Sequence, residues 1–182
     1  VGNSPGSMTA SSATWNGGGH YQVEMSGLPK SIQEQATSAD FLGSAGTLWD
    51  YLNVTTTLTI NATSSNKFII DVVSLLADNN RGNVAGFVPQ YDYTMVIATA
   101  AGGISGFNSD YFGYDLAGFS NSRDYAPWMN QGTYAAGRFF VSLSQDSKTM
   151  YLNYARAIPE PTTGSLLLVG LLGALAARRR RS

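Results

Sequence analysis

The chain has no cysteine and one histidine among 182 residues. Without cysteine there is neither a disulfide framework nor a thiolate metal site, and the redox compartment stays open. One histidine without cysteine leaves no zinc ligand set, so the sequence points to no metal and no cofactor. Charge is scarce as well: 13% of residues are Asp, Glu, Lys or Arg, against about a quarter in an average globular chain. Gly, Ser, Thr, Asn and Tyr take up the difference, a balance typical of exported β-proteins rather than intracellular enzymes. The length suits one domain with a sizeable core.

The net charge of −1 hides an asymmetry. Of the 11 Lys and Arg residues, four are the run Arg178, Arg179, Arg180 and Arg181, whereas of the 12 acidic residues only Glu160 falls in the last 25 positions. The rest of the chain is therefore mildly acidic. Phosphate backbones need a basic face, so nucleic acid is not the expected partner. The chain opens at Val1, with no initiator Met, charged n-region or apolar h-region, so an export leader is expected upstream and the chain reads as the C-terminal part of something longer.

Long apolar runs are missing until the end, where IPEPTTGSLLLVGLLGALAARRRRS closes the chain. Pro159 and Pro161 flank Glu160 and hold this stretch extended. Residues 164–177 then read as an uncharged helix of Leu, Ala, Val and Gly. From residue 162 to 177 such a helix rises roughly 24 Å at about 1.5 Å per residue. That is short of a hydrocarbon core of about 30 Å, but terminal arginines snorkel to headgroups and lengthen the reach. Positive-inside bias places the arginines in the cytoplasm and everything before the helix outside it.

An extended Pro159-Glu160-Pro161 motif, an apolar span over 165–177 and the basic stop Arg178 to Arg181 resemble, in order and placement, the PEP-CTERM sorting signal of Gram-negative bacteria. The resemblance covers about the last 25 residues. It implies that exosortase, a membrane transpeptidase-like enzyme, recognises the motif and processes the tail. It further implies an inner-membrane-anchored precursor delivered to the cell surface or exopolysaccharide matrix. An ordinary C-terminal anchor is the plainer reading.

The body alternates with period 2. Over 52–61, Leu52, Val54, Leu58 and Ile60 share one face, with Asn53, Thr55, Thr57, Thr59 and Asn61 on the other, which predicts a half-buried strand or two collinear ones. Tyr21, Val23 and Met25 form a second apolar face, Tyr91, Tyr93, Met95 and Ile97 a third. Phe139, Val141 and Leu143 predict a hairpin with Met150, Leu152 and Tyr154 across a turn at 145–148. Residues 67–76 are apolar on both faces and predict a strand covered on both sides. Only Ser31-Ile32-Gln33-Glu34 argues for helix, by its capping-box spacing, with a short helix expected over 32–41.

The strands "YQVEM", "LWDYLNVTTTLTI", "FIIDVVSLL", "YTMVIATAAGGISGF" and "GRFFVSLSQDSKTMYLNYA" are similar to the C-terminal end of autotransporter-type passenger domains and of autotransporter-associated β-repeat proteins. The resemblance implies the C-terminal coils of a right-handed parallel β-solenoid ending in a hairpin, an all-β body followed by a single C-terminal hydrophobic helix. A β-sandwich is the alternative. The expected divisions are a linker or trimmed upstream region over 1–14, a β-rich body over 15–157 and the sorting signal over 158–182.

Other candidate sites have a structural reading beside the functional one. His20 lies beside a Gly-rich turn, without a G-x-S-x-G elbow, and reads as a surface strand residue rather than a catalytic base. Residues 78–83 faintly suggest a calcium loop, but Gly82 stands where a ligand belongs, so a turn is expected. Asp110 and Asp115 have the residue type of a glycosidase pair, yet sequence says nothing of their separation. Trp15, Trp49 and Trp128 suit sugar stacking or strand-end packing over the core. Asn53-Val54-Thr55 and Asn61-Ala62-Thr63 fit a glycosylation acceptor, a weak signal. The expected function is that of a non-enzymatic structural or adhesive protein at the surface, whose partners are the sorting enzyme and exopolysaccharide. A carbohydrate-binding sandwich module is the alternative.

Overall fold

Alternation decides which side chains face inward. Leu52, Val54, Leu58 and Ile60 are all buried, while Thr55, Thr57, Thr59 and Asn61 are exposed. Thr56 departs from the pattern because it sits in the bend that divides this segment into two strands. Each buried aliphatic is worth roughly 1.5–3 kcal/mol, so inward faces of this kind dictate the fold. The structure is a computed structural model that describes residues 4–123, 134–156 and 158–159.

Nine strands come first: β1 (Ser7–Ala10), β2 (Ala13–Asn16), β3 (His20–Met25), β4 (Tyr51–Val54), β5 (Leu58–Asn61), β6 (Phe68–Ser74), β7 (Tyr93–Ala100), β8 (Ile104–Ser105) and β9 (Phe112–Asp115). Each pairs in parallel with the strand three places along, giving β1-β4-β7, β2-β5-β8 and β3-β6-β9. Four more follow: β10 (Tyr134–Ala135), β11 (Arg138–Leu143), β12 (Thr149–Ala155) and β13 (Ile158–Pro159). Strand β12 adds antiparallel to β7, and β11 adds antiparallel to β12 through the turn expected at 145–148. The largest sheet is thus five-stranded and mixed, in the order β1-β4-β7-β12-β11.

This arrangement corrects the expected fold. The strands fall into separate short sheets, none of them closed, and the largest turns antiparallel at β12 and β11. The body is therefore not the run of right-handed parallel solenoid coils that the resemblance implied. The β-sandwich alternative fails too, because sandwiches are built from antiparallel sheets and β1 to β9 pair in parallel. Nor is the body wholly β, since the link from β3 to β4 carries helix. The expected C-terminal helix over 165–177 lies outside the described residues. Strand pairing already begins at Ser7, inside the stretch expected to be linker.

The helical link also differs from expectation. Glu34 does reach back, its Oε2 accepting from the amide (2.9 Å) and the hydroxyl (2.6 Å) of Ser31. The result is a single 3-10 turn, Ile32–Glu34, because Gln35 turns left-handed at φ 60°. A second short helix, α1 (Ser38–Leu42), starts afresh where Asp40 accepts from the amide and hydroxyl of Thr37. Two local carboxylate anchors replace one longer helix.

The core runs between the sheets. Strand β6, buried along most of its length as expected, contributes Phe68, Ile70, Val72 and Val73, and β7 adds Met95 and Ile97. On one side Trp15 lies flat on Phe68, ring centroids 4.5 Å apart. On the other, Phe87, Phe119, Phe139 and Tyr154 pack edge-on and tilted against one another at 4.9–5.2 Å.

Candidate functional site

Two places carry the sequence-predicted residues: the C-terminal junction, and the end of the body formed by β1 and β3. At the junction, β12 ends at Ala155, and the amide of Arg156 donates to Asp92 Oδ1 at 2.7 Å. Strand β13 follows immediately and pairs antiparallel with β10, Pro159 opposite Tyr134. Proline lacks a donor, so it tolerates only such a marginal strand position. Glu160, Pro161 and Arg178 to Arg181 lie outside the described residues.

At the other place, parallel pairing of β3 with β6 sets Tyr21 opposite Ile70 and Gln22 opposite Asp71. His20 and Asp71 thereby meet, Nδ1 lying 3.0 Å from both carboxylate oxygens. The two line a cavity of about 610 Å³ together with Gln22, Asp50, Tyr51 and Ser7. Asp50 stands just before β4 and holds two strands. Its Oδ1 accepts from the Gly6 amide at 2.8 Å and its Oδ2 from the Glu24 amide at 2.9 Å. Burial raises the Asp50 carboxyl above its ordinary range, and Glu24 nearby adds to the rise against those two hydrogen bonds. Burial likewise raises the Tyr21 hydroxyl, reinforced by Asp50 and Tyr51. Glu24 is 1% exposed. Gln22 Nε2 donates to its Oε1 at 2.8 Å, and its Oε2 has no partner among the described residues.

The remaining candidates do not converge on a reactive centre. Asp110 and Asp115 are both exposed, one in a 3-10 turn and the other at the end of β9, where it accepts from the Ala117 amide. Asp78 accepts from the amide and side chain of Asn80, which lowers its pKa, and Asn79 has φ 64°, so this loop closes as a turn. Trp15 and Trp49 are 6% and 0% exposed, and Trp49 Nε1 donates to the Val96 carbonyl. They belong to the core rather than to a sugar platform; Trp128 lies outside the described residues. Asn53 is half-buried and accepts from the Thr99 hydroxyl, and exposed Asn61 donates to Asn16. Sequence reasoning found His20 but missed Asp71, Asp50, Gln22 and Tyr51 around it. Gln22 shares the face of His20 by alternation within β3, but Asp50, Tyr51 and Asp71 lie about 30 to 50 positions away and leave no local signal, so only strand register joins them.

Residues 157–181 match the PEP-CTERM protein-sorting motif. The matched range starts next to Arg156 and takes in strand β13, which pairs with β10. It marks an exported protein, a membrane-anchored precursor whose processing partner is exosortase. No curated protein and no solved structure matches the chain, so no relative supports the autotransporter-type resemblance of the body. Among the described residues no helix is long and apolar enough to cross a membrane, and no three His, Cys, Asp or Glu side chains group as metal ligands.

Proposed function

We propose that this chain is a non-enzymatic structural or adhesive protein, retained at the cell surface or in the exopolysaccharide matrix once its tail has been processed. The observation that carries the reading is the sorting motif at 157–181 joined to a β body with its own core. A polar, sparsely charged exterior suits a hydrated glycan matrix. Within the body, His20 bonds only to Asp71 among the described residues, with no hydroxyl nucleophile on its ring. A glycan-binding role is the second reading, favoured by the cavity beside His20.

The test separates address from cargo. In a host that carries exosortase, Glu160→Ala blocks recognition and leaves an unprocessed, membrane-bound precursor. Replacing Arg178 to Arg181 with serine removes the cytoplasmic stop, and each lost cation also forfeits about 1 kcal/mol of attraction to anionic lipid, so this variant escapes or is mislocalised. Apparent mass in membrane, surface, matrix and medium fractions reads both outcomes. Processing and delivery of both variants like the parent would refute sorting by this tail. Release of correctly processed parent protein wholly into the medium would refute matrix retention.

A further inference from the structure

The cavity between β1 and β3 is acidic: the carboxylic side chains of Asp50 and Asp71 line it beside His20 and the uncharged Ser7, Gln22 and Tyr51. Asp71 engages Nδ1 of His20 with both oxygens at 3.0 Å. The tautomer that carries its proton on Nδ1 leaves Nε2 as an acceptor. Asp50 is 7% exposed, and each oxygen accepts a single backbone proton, leaving lone-pair sites unused. Glu24, on the same face of β3 as His20 and Gln22, lies behind the cavity rather than on its wall, with an Oε2 that has no partner among the described residues. Such an oxygen is costly to leave unmatched. Among the described residues no Lys or Arg lines the cavity, while Pro5, Met8, Tyr21 and Tyr51 supply apolar wall.

Two carboxyl groups favour an occupant that brings positive charge and donors, and the apolar wall favours one with an apolar face. Anionic sugars are disfavoured, because their carboxylates or phosphates would meet Asp50 and Asp71 with no cation to separate them. An ammonium group supplies three donors and the complementary charge, hydroxyls supply further donors, and a sugar's C–H face lies against tyrosine. The volume, about 610 Å³, falls within the range of small-molecule sites, roughly 300–1,000 Å³.

We propose that this cavity binds a sugar unit carrying a protonated primary amine, as in a glucosamine-containing exopolysaccharide; the proposal rests on the matrix reading above. Asp71 receives the ammonium, with His20 and Gln22 receiving hydroxyls beside it.

The full chain in detergent micelles is titrated calorimetrically with the β-linked disaccharides of glucosamine, N-acetylglucosamine and glucose. The amine form binds about tenfold more tightly than either neutral form, the scale of one charge-assisted hydrogen bond, and its advantage shrinks with added salt. Asp71→Asn abolishes that preference, and His20→Gln weakens all binding severalfold. Far-UV circular dichroism verifies that both variants are folded, and Thr59→Ala, on the exposed face of β5, leaves binding unchanged. Equal affinities for the three sugars, no heat with any of them, or an undiminished preference in Asp71→Asn would overturn the proposal. Failure here with normal matrix retention refutes the cavity assignment alone; amine-selective binding by a protein that is not retained refutes the matrix reading alone.

Discussion

The two ends of the five-stranded sheet are both edge strands, β1 paired in parallel and β11 antiparallel, and they are sealed differently. Strand β1 pairs four residues with β4, yet Ser7, Met8 and Thr9 are exposed, Met8 at 54%. Strand β11 pairs six residues with β12 and buries Phe139 and Val141. Behind β11 stand Phe87, Phe119 and Tyr154, whose rings close the core. Behind β1 lies the cavity, and the rings that pack in the neighbouring sheets, Trp15 on Phe68 with Tyr21 and Phe112 beside them, do not cover β1 itself. Ladder hydrogen bonds largely replace bonds to water and contribute modestly, so buried apolar area decides which end is stable. The less stable end is left free to present polar groups.

The largest expected effect tests that contrast directly. Tyr154→Ala removes a ring that is 1% exposed and packs on Phe87 and Phe139, and should cost about 3–5 kcal/mol. Met8→Ala, at the other end, should stay within about 0.5 kcal/mol, as exposed changes do. Urea denaturation of both variants measures the difference. Similar losses would mean that the two ends are equally sealed.

A smaller effect sharpens the same point by overpacking. A Cβ at Gly137 would overlap the hydroxyl oxygen and the ring of Tyr154. The ring is fixed by its neighbours, so Gly137→Ala should cost about 1–3 kcal/mol. Gly86, where nothing lies within 4 Å of an added Cβ, has φ +78°, so Gly86→Ala carries backbone strain without a clash. If the Tyr154 region is the rigid seal, combining Gly137→Ala with Tyr154→Phe should recover part of the loss. No recovery would place the cost in the backbone of residue 137 instead.

Strand faces were legible because alternation is a local property. Val23 and Met25, Leu58 and Ile60, and the Phe139–Leu152 hairpin all read directly from neighbours in sequence. Their assembly was not. Parallel partners such as Leu52 and Ala98 are set by register across long connections, and Gly-rich alternation fits several architectures equally well. The resemblance to autotransporter ends therefore failed at sheet arrangement while the strands beneath it held. The tail behaved in the opposite way, since motif, apolar span and arginines follow one another in the chain and need no fold to be recognised. Asp50 shows what remains hidden. Read in sequence it is one more acidic residue after Trp49, and only the folded chain makes it the clip between Gly6 and Glu24.

That clip yields the smallest expected effect, and its sign discriminates between the ends. The Asp50 carboxyl is raised in the folded state, chiefly by burial, so between its unfolded and folded pKa values the folded chain holds more protons than the unfolded one. Stability from this group is therefore present on the acid side and lost as pH rises through the folded value. Exposed carboxylates that accept local hydrogen bonds act in the opposite sense. Glu34 and Asp40 in the helical link, and Asp146 in the β11–β12 turn, are all lowered by such bonds, so their contribution is lost as pH falls. The parent's overall profile mixes the two, but Asp50→Asn deletes only the first. Asparagine keeps one acceptor oxygen where aspartate offers two, so the variant is less stable throughout, and the Tm gap to the parent should be wider near pH 4 than near pH 7. Thermal melts of both proteins across that range measure it. A gap that widens toward neutral pH would mean that Asp50 is stabilised as a carboxylate, with its two backbone amides outweighing burial and Glu24, and the β1–β3 end would then be held by charge rather than in spite of it.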